Sequence, residues 1–302
     1  IIGVSGGVDS SYVLYLAVNQ GLHPLAVHLD NGWNTELASN NISNLVNHLG
    51  VDLYTYTIDW EEYRDLQLSF FKANVVDIEL LMDNAMIALN FQQAAKYKLK
   101  YILSGGNMTT EGMSIPPSWN HFKNDAHNIQ KIQKRYGNVP IKTQPLFSVM
   151  DYVRYAIVHG IKWVPFLDYV PYNKFDALEI LQKELGYRPY PYKHYESIFT
   201  RFYQGYILPR KFGYDKRLVH LSTLVISGQM TREEAMKLLE GSPYPDPKQE
   251  EQDRILVMRR LGFTEESFNR YMSAPEVPHQ AYGSEKWLWD LLSSVAKTIR
   301  SF

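Results

Sequence analysis

The chain has 302 residues, with 31 Lys and Arg against 32 Asp and Glu and a formal net charge of -1; that balance argues against a general nucleic-acid binder held by phosphate charge. It contains no cysteine, so no disulfide, thiolate nucleophile or cysteine-ligated metal arises from these residues. No apolar run reaches the ~18 residues of a membrane span, and no signal peptide is visible, so a cytoplasmic location is the expectation.

In chain order, Ile1 to Val4 reads as a buried strand, Ser5 to Asp9 as a loop, and Ser10 to Asn19 as a helix stopped at Gly21. LHPLAVHLDNG supplies a second strand ending at Asp30, and NTELASNNISNLVNHLG a second helix capped by Asn34 or Thr35 and closed by Gly50. VDLYTYTID is a third strand. This alternation predicts a doubly wound parallel α/β sheet, with ligands beyond the carboxyl ends of the strands. A long helix is expected from Asp77 to Tyr97, a strand and polar loop in KYILSGGNMTTEG, a helix from Trp119 to Tyr136 and an extended piece in IKTQPLF.

Near Tyr169 the composition shifts to Tyr, Pro, Lys and Arg, and a largely helical C-terminal region follows. The expected division is a nucleotide-binding domain at 1–168 and a substrate- or partner-binding region at 169–302. Thr231 with Glu234 reads as a capping box, and Thr264 as a further cap. SEKWLWDLLSSVAKTIRSF is amphipathic and fits a helix docked on a partner, on a second copy in a homo-oligomer, or on its own core. Histidines 121 and 127 lack the companions a zinc site needs.

The opening loop carries the chemistry. Gly6 and Gly7 let backbone approach a ligand closely, Ser5, Ser10 and Ser11 add hydroxyls, and the following helix contributes its positive end, so phosphate or pyrophosphate is the natural ligand. Asp9 would repel phosphate directly, which leaves a helix cap or a Mg2+ bridging to the phosphates. The glycine spacing and the absence of lysine exclude a Walker A loop, and GxGxxG is absent. Asp30, after the second strand, is placed against ribose or adenine, with a turn as the bland alternative. Gly105, Gly106 and Asn107 form a second close-approach loop, with Glu111 its nearest acid.

Ser5-Gly6-Gly7-Val8-Asp9-Ser10 resembles the SGGxDS loop of the PP-loop ATP pyrophosphatases, the adenine nucleotide alpha-hydrolase-like superfamily. The resemblance implies that Ser5, Gly6, Gly7, Asp9 and Ser10 cradle the β,γ-pyrophosphate of ATP, with Ser11 a weaker candidate and Asp9 and Glu111 on Mg2+. The usual acidic residue beside the second glycine pair is replaced by Asn107, Thr109 and Thr110.

The wider sequence, in VVDIELLMDNAMIAL, YILSGGN, KHYESIFTRFYQGYILPRKFGYDKR and HLSTLVISGQMTREEA, is similar to the N-acetyl sugar amidotransferase family of lipopolysaccharide and flagellin-sugar biosynthesis. That family implies a UDP-linked N-acetylated amino sugar as acceptor. Its acetamido oxygen is adenylated by ATP, and ammonia displaces AMP to leave an acetamidino group. Ammonia is expected from a separate glutaminase subunit, with a cyclase-like subunit completing the channel. The family also carries a cysteine-containing segment upstream, so a preceding piece is expected here. In this setting Lys193, Glu196 and Arg201 join Asp9 and Ser10 as catalytic candidates. Asp77, His194, Tyr195, Tyr203, Arg210, Lys211, Lys216 and Arg217 are substrate-side candidates, weighed against a solvated basic surface around an aromatic core. The alternatives are another AMP-forming ligase of the NAD-synthetase type and a non-catalytic nucleotide-binding subunit.

Overall fold

The computed structural model describes residues 1–191, 195–244 and 246–300. The chain divides into two compact units, each assembled from three segments: residues 1–57, 101–116 and 162–273 in the first, and 58–100, 117–161 and 274–302 in the second.

The first unit is built on a five-stranded, wholly parallel sheet. Its strands are β1 (Ile2–Gly3), β2 (Ala26–Asp30), β3 (Leu53–Thr57), β4 (Tyr101–Ser104) and β5 (Lys162–Pro165), in the order β3-β2-β1-β4-β5. Ile2 is registered with Ala26 on one side and Leu103 on the other. This is the open α/β sheet expected. The strand order reverses between β1 and β4, which is where such sheets bind ligands.

Helix α1 (Val8–Asn19) follows β1, and α2 (Glu36–Leu49) follows β2. Thr35 caps α2 by accepting from the Ala38 amide, and Gly50 closes it at φ 62°. Ile2, Val4, Val13, Leu14 and Ala17 pack with Ile42, Leu45 and Val46 from α2, and with Ala177, Leu181 and Leu185 from a helix absent from the expectations. Burying each such side chain contributes about 1.5–3 kcal/mol. The helical C-terminal part of this unit is as expected. The Thr231–Glu234 capping box is present, and Thr264 accepts from the Ser267 amide.

The second unit contains α3 (Trp60–Ala73), α4 (Leu80–Lys96), α6 (Ala126–Tyr136), α7 (Val149–Tyr152) and α14 (Lys286–Arg300). Two expectations shift here. The helix expected from residue 119 begins at Ala126, because the Asp125 carboxylate accepts the Asn128 amide and fixes the start there. IKTQPLF forms no strand, because the amides of Thr143 and Gln144 are bound at 2.7–3.0 Å by the buried Glu62 carboxylate.

A buried polar network organises this unit. Asp77 accepts from the His121 amide at 2.7 Å and from Lys123 Nζ at 2.6 Å; Lys123 also reaches Asp83 at 2.8 Å. His279 Nε2 accepts from the Asp77 amide at 3.2 Å, so its Nδ1 carries the proton it donates to Asn128 Oδ1 at 2.7 Å. The rings of His279 and His121 stack at 4.3 Å, and His121 lies 2.7 Å from the Asp125 carboxylate.

Only neutral His279 satisfies both of its ring nitrogens in this arrangement. Burial, then the neighbouring His121, lowers its pKa from 6.5 to about 3. Below pH 6.5 the unfolded chain takes up a proton that the folded chain refuses, so stability drains away as pH falls toward 3. We expect the unfolding free energy to drop by roughly 2 kcal/mol from this group between pH 6.5 and 5. Urea titrations over that range check this, with His279→Gln flattening the slope.

Candidate functional site

The first turn of α1 and the loops after β1 and β4 meet at the switch point. Gly6 has φ +83°, and a Cβ there would stand 3.0 Å from the Ala38 carbonyl oxygen. Ser5 Oγ accepts from the Gly7 amide at 3.3 Å and lies 3.4 Å from Ser10 Oγ, which donates to the Gly7 carbonyl at 3.3 Å. Gly7 stands at the N-cap of α1 with no side-chain cap. The positive end of α1 therefore opens on a glycine loop, the arrangement that receives phosphate.

From β4, Gly105 comes so near α1 that a Cβ would lie 2.8 Å from the Ser10 nitrogen. Asn107 caps α5 (Met108–Glu111) by accepting from the Thr110 amide at 2.8 Å, and donates to the Gly105 carbonyl at 2.9 Å. A side chain at Gly106 would meet the Glu111 carboxylate at 3.7 Å. Ser11 is fully buried, and its hydroxyl has no hydrogen-bond partner among the described residues. Asp30 accepts from the Gly32 amide at 2.8 Å and from Asn34 at 3.3 Å, so its carboxylate shapes the turn after β2.

Tyr187, Arg188 and residues 196–198 tie the chain to the loop and to α2. Asn41 of α2 exchanges two 2.9 Å hydrogen bonds with the backbone of Arg188. Thr35 donates its amide to the Glu196 carbonyl at 2.9 Å, and Ile198 donates to the Trp33 carbonyl at 2.9 Å. This pins Glu196 over the glycines, where a Cβ on Gly7 would lie 3.5 Å from its carboxylate. Lys193 and His194 lie outside the described residues.

A cavity of about 230 Å³ opens in the same unit. Thr110, Lys174, Tyr195, Arg201, Lys216 and His220 line it, among others. Arg201 makes a bidentate pair with the buried Asp253, at 2.6 and 2.7 Å, and sits 5.0 Å over the Tyr195 ring. Burial disfavours the Arg201 charge, but Asp253 outweighs it and raises the guanidinium pKa. Arg217 also lines the cavity, yet its guanidinium is bound to Asp215 and to the carbonyls of Leu238, Leu239, Gly241 and Ser242.

Other candidates stand elsewhere. Tyr203 is buried and stacked on Phe199 at 5.8 Å. Arg210 pairs with Glu250 at 2.6 Å, and Lys211 donates to the Tyr271 carbonyl at 2.5 Å. Asp77 belongs to the network of the second unit. The structure thus gathers Ser5, Gly6, Gly7, Asp9, Ser10, Gly105, Gly106, Asn107, Glu111 and Glu196 around one loop. It places Tyr195, Arg201, Lys216 and Arg217 on one cavity.

Two residues absent from the expectations touch the loop directly. Tyr172 donates to Asp9 Oδ1, and Tyr187 donates to the Gly6 carbonyl at 2.9 Å. Their sequence signal is faint: an aromatic just outside each end of the capped helix KFDALEILQKEL.

Among the described residues no group of three or more His, Asp and Glu side chains forms a ready metal cage. Magnesium commonly takes one or two carboxylates and completes its octahedron with phosphate and water. Asp9 and Glu111 supply two such carboxylates on either side of the second glycine pair, Asp9 against Gly105 and Glu111 against Gly106.

An open, doubly wound sheet with a glycine loop at its switch point and a helical C-terminal region defines the architecture. Residues 196–296 match the family described as LPS biosynthesis protein WbpG-like, C-terminal domain. No curated protein matches the chain. Among the described residues no helix is long and apolar enough to cross a membrane.

Proposed function

We propose that the chain is an ATP-dependent, AMP-forming amidotransferase that converts the N-acetyl group of a UDP-linked amino sugar into an acetamidino group. The observation that carries this is that residues lining the cavity are chain neighbours of residues at the loop. Thr110 lines the cavity beside Glu111, Lys174 lines it two residues after Tyr172, and Tyr195 lines it next to Glu196. On this reading an acceptor held in the cavity reacts with a phosphate held in the loop. The cavity is smaller than the ~300–1,000 Å³ typical of whole-ligand pockets, so it suits the sugar ring with its acyl arm. The match of residues 196–296 to an LPS biosynthesis family supports a sugar acceptor.

The reaction has two displacements. The acetamido oxygen bonds to the α-phosphorus of ATP as pyrophosphate leaves. Ammonia then adds to the activated carbon, the C–O bond to AMP breaks, and the ammonia nitrogen sheds protons as the amidine forms. Ser5, Ser10 and the amides of the loop hold the departing pyrophosphate. Asp9 and Glu111 would hold Mg2+, which neutralises charge on the phosphates. Glu196, set over the glycines, takes a proton from the attacking nitrogen. Arg201 and Lys216 orient the acceptor, with Lys193 and His194 assigned to the same side from the sequence. The ammonia comes from a separate glutaminase.

The test is product analysis with ATP, Mg2+, ammonium and a panel of UDP-linked N-acetyl sugars. We expect acceptor-dependent AMP and pyrophosphate, and a sugar product one mass unit lighter as O becomes NH. AMP without that mass change points to a different acceptor, as in an NAD-synthetase-type ligase. ATP binding without AMP points to a non-catalytic subunit.

A further inference from the structure

Helix α8 (Lys174–Leu185) is framed by two tyrosines that reach the same loop. Its start is fixed by Asn173, which accepts from the amides of Phe175 and Asp176, and its end by Gly186 at φ 63°. Leu181 and Leu185 anchor it in the core with Val13, Leu14 and Ala17 of α1. Tyr172 stands just before the helix and Tyr187 just after it. Both are nearly fully buried, at 9 % and 4 % exposure, so neither phenol is a solvent-facing contact.

We propose that Tyr172 and Tyr187 are positioning residues that preset the glycine loop for phosphate and metal, each through one phenol hydrogen bond. The assignment rests on the reading of the loop as the ATP-phosphate cradle. Tyr187 binds the carbonyl of Gly6, the residue whose positive φ sets the turn of the loop. Holding that carbonyl fixes the peptide plane between Gly6 and Gly7, and with it the direction of the Gly7 amide. Tyr172 binds Oδ1 of Asp9 and so orients the carboxylate. The two bonds therefore act on different functions: Tyr187 on the shape of the anion cradle, Tyr172 on the presentation of the metal-binding carboxylate.

Burial, then Tyr190 and Glu196, raises the Tyr187 pKa far above its ordinary value, so its phenol stays a donor. Phe substitution deletes only the donor and keeps the rings, including the Tyr172 contact with Tyr12 at 5.8 Å.

The experiment pairs calorimetric ATP titrations, with Mg2+ and with EDTA, with hydrogen exchange of the ligand-free loop. Tyr172→Phe is expected to raise the Mg2+ concentration for half-maximal ATP binding by about 10–150-fold, as for a lost hydrogen bond to a charged group, while metal-free ATP affinity stays within about twofold. Tyr187→Phe is expected to speed exchange at residues 5–10 by about tenfold and to weaken ATP equally with and without Mg2+. Tyr187→His, which retains a donor, should recover part of that protection and serves if the Phe variant does not fold. An equal loss with and without metal, or no loss, overturns the Tyr172 assignment. Unchanged loop exchange in Tyr187→Phe overturns the other. Wild-type protein that fails to bind ATP removes the functional reading; the exchange data still decide whether Tyr187 sets the loop.

Discussion

Gly105→Ala is expected to lower turnover about 100-fold, the scale of a 1 Å misplacement in a catalytic site, while costing about 1–3 kcal/mol of stability through overpacking. A methyl there would sit 2.8 Å from the Ser10 nitrogen, 3.0 Å from the Asp9 carbonyl carbon and 3.1 Å from Ser10 Cα. All three atoms are backbone, so no rotamer change relieves the clash. Either α1 retreats or the loop after β4 lifts, and both movements separate the two halves of the proposed phosphate site. Gly21→Ala is the matched control. Gly21 has φ +77° and open space around it, so an alanine there meets only backbone strain of about 1–2 kcal/mol. We expect Gly21→Ala to lose comparable stability and keep its turnover. Equal turnover in the two variants would show that the contact between Gly105 and α1 does not position the site. Melting temperature and AMP release, measured on the same preparations, check both expectations.

Asp77→Ala is expected to destabilise the protein by about 2–4 kcal/mol, near the lower end for breaking a buried ion pair. Asp77 is 3 % exposed and accepts from the His121 amide and from Lys123. Its loss leaves that amide without its acceptor, while Lys123 keeps Asp83 and some contact with solvent. Burial alone would raise the Asp77 carboxyl, but Lys123 leads the groups that outweigh it and hold the pKa at about 2, below the ordinary 3.8. A depressed carboxyl contributes stability above pH 3.8 that is lost as pH falls through 2. The wild type should therefore show this loss beneath the one driven by His279, and Asp77→Ala should lack it. Urea unfolding between pH 2 and 7 reads both. Unchanged stability accompanied by weaker acceptor binding would instead return Asp77 to the substrate side.

The parts of the fold that were legible share one trait: pattern and punctuation agree. IIGV, the glycine loop and the helix after it announce a strand, a turn and an N-terminus, and Thr35 with Gly50 brackets α2 in the same way. Helix α3 was hidden because charged and polar residues interrupt its inward apolar face of Tyr63, Leu66, Phe70 and Phe71. Glu62, Asp65 and Gln67 are buried there, and the two carboxylates take the amides of residues 138, 139, 143 and 144. A periodicity search treats those charges as solvent-facing, and the partners that satisfy them lie more than 70 residues away.

The loop was legible for a related reason, since its residues are contiguous and their conformational demands are local. Tyr172 and Tyr187 were not, because an ordinary tyrosine 163 or 181 residues from its acceptor carries no local mark. Arg217 misleads in the opposite sense. In sequence it is one more cation of a basic stretch, but its donors serve Asp215 and the carbonyls at the end of α11 (Arg232–Leu239).

The glycine loop is synthesised well before the groups that complete it. Gly105, in the loop after β4, comes about a hundred residues later, the tyrosines that hold the loop are at 172 and 187, and Glu196 comes later still. At ~5–20 residues per second of synthesis, the loop waits roughly 10–40 s for these partners. A nascent chain released before residue 196 therefore carries the whole motif without the groups that give it shape, and the proposed nucleotide capture belongs only to chains that have passed that point.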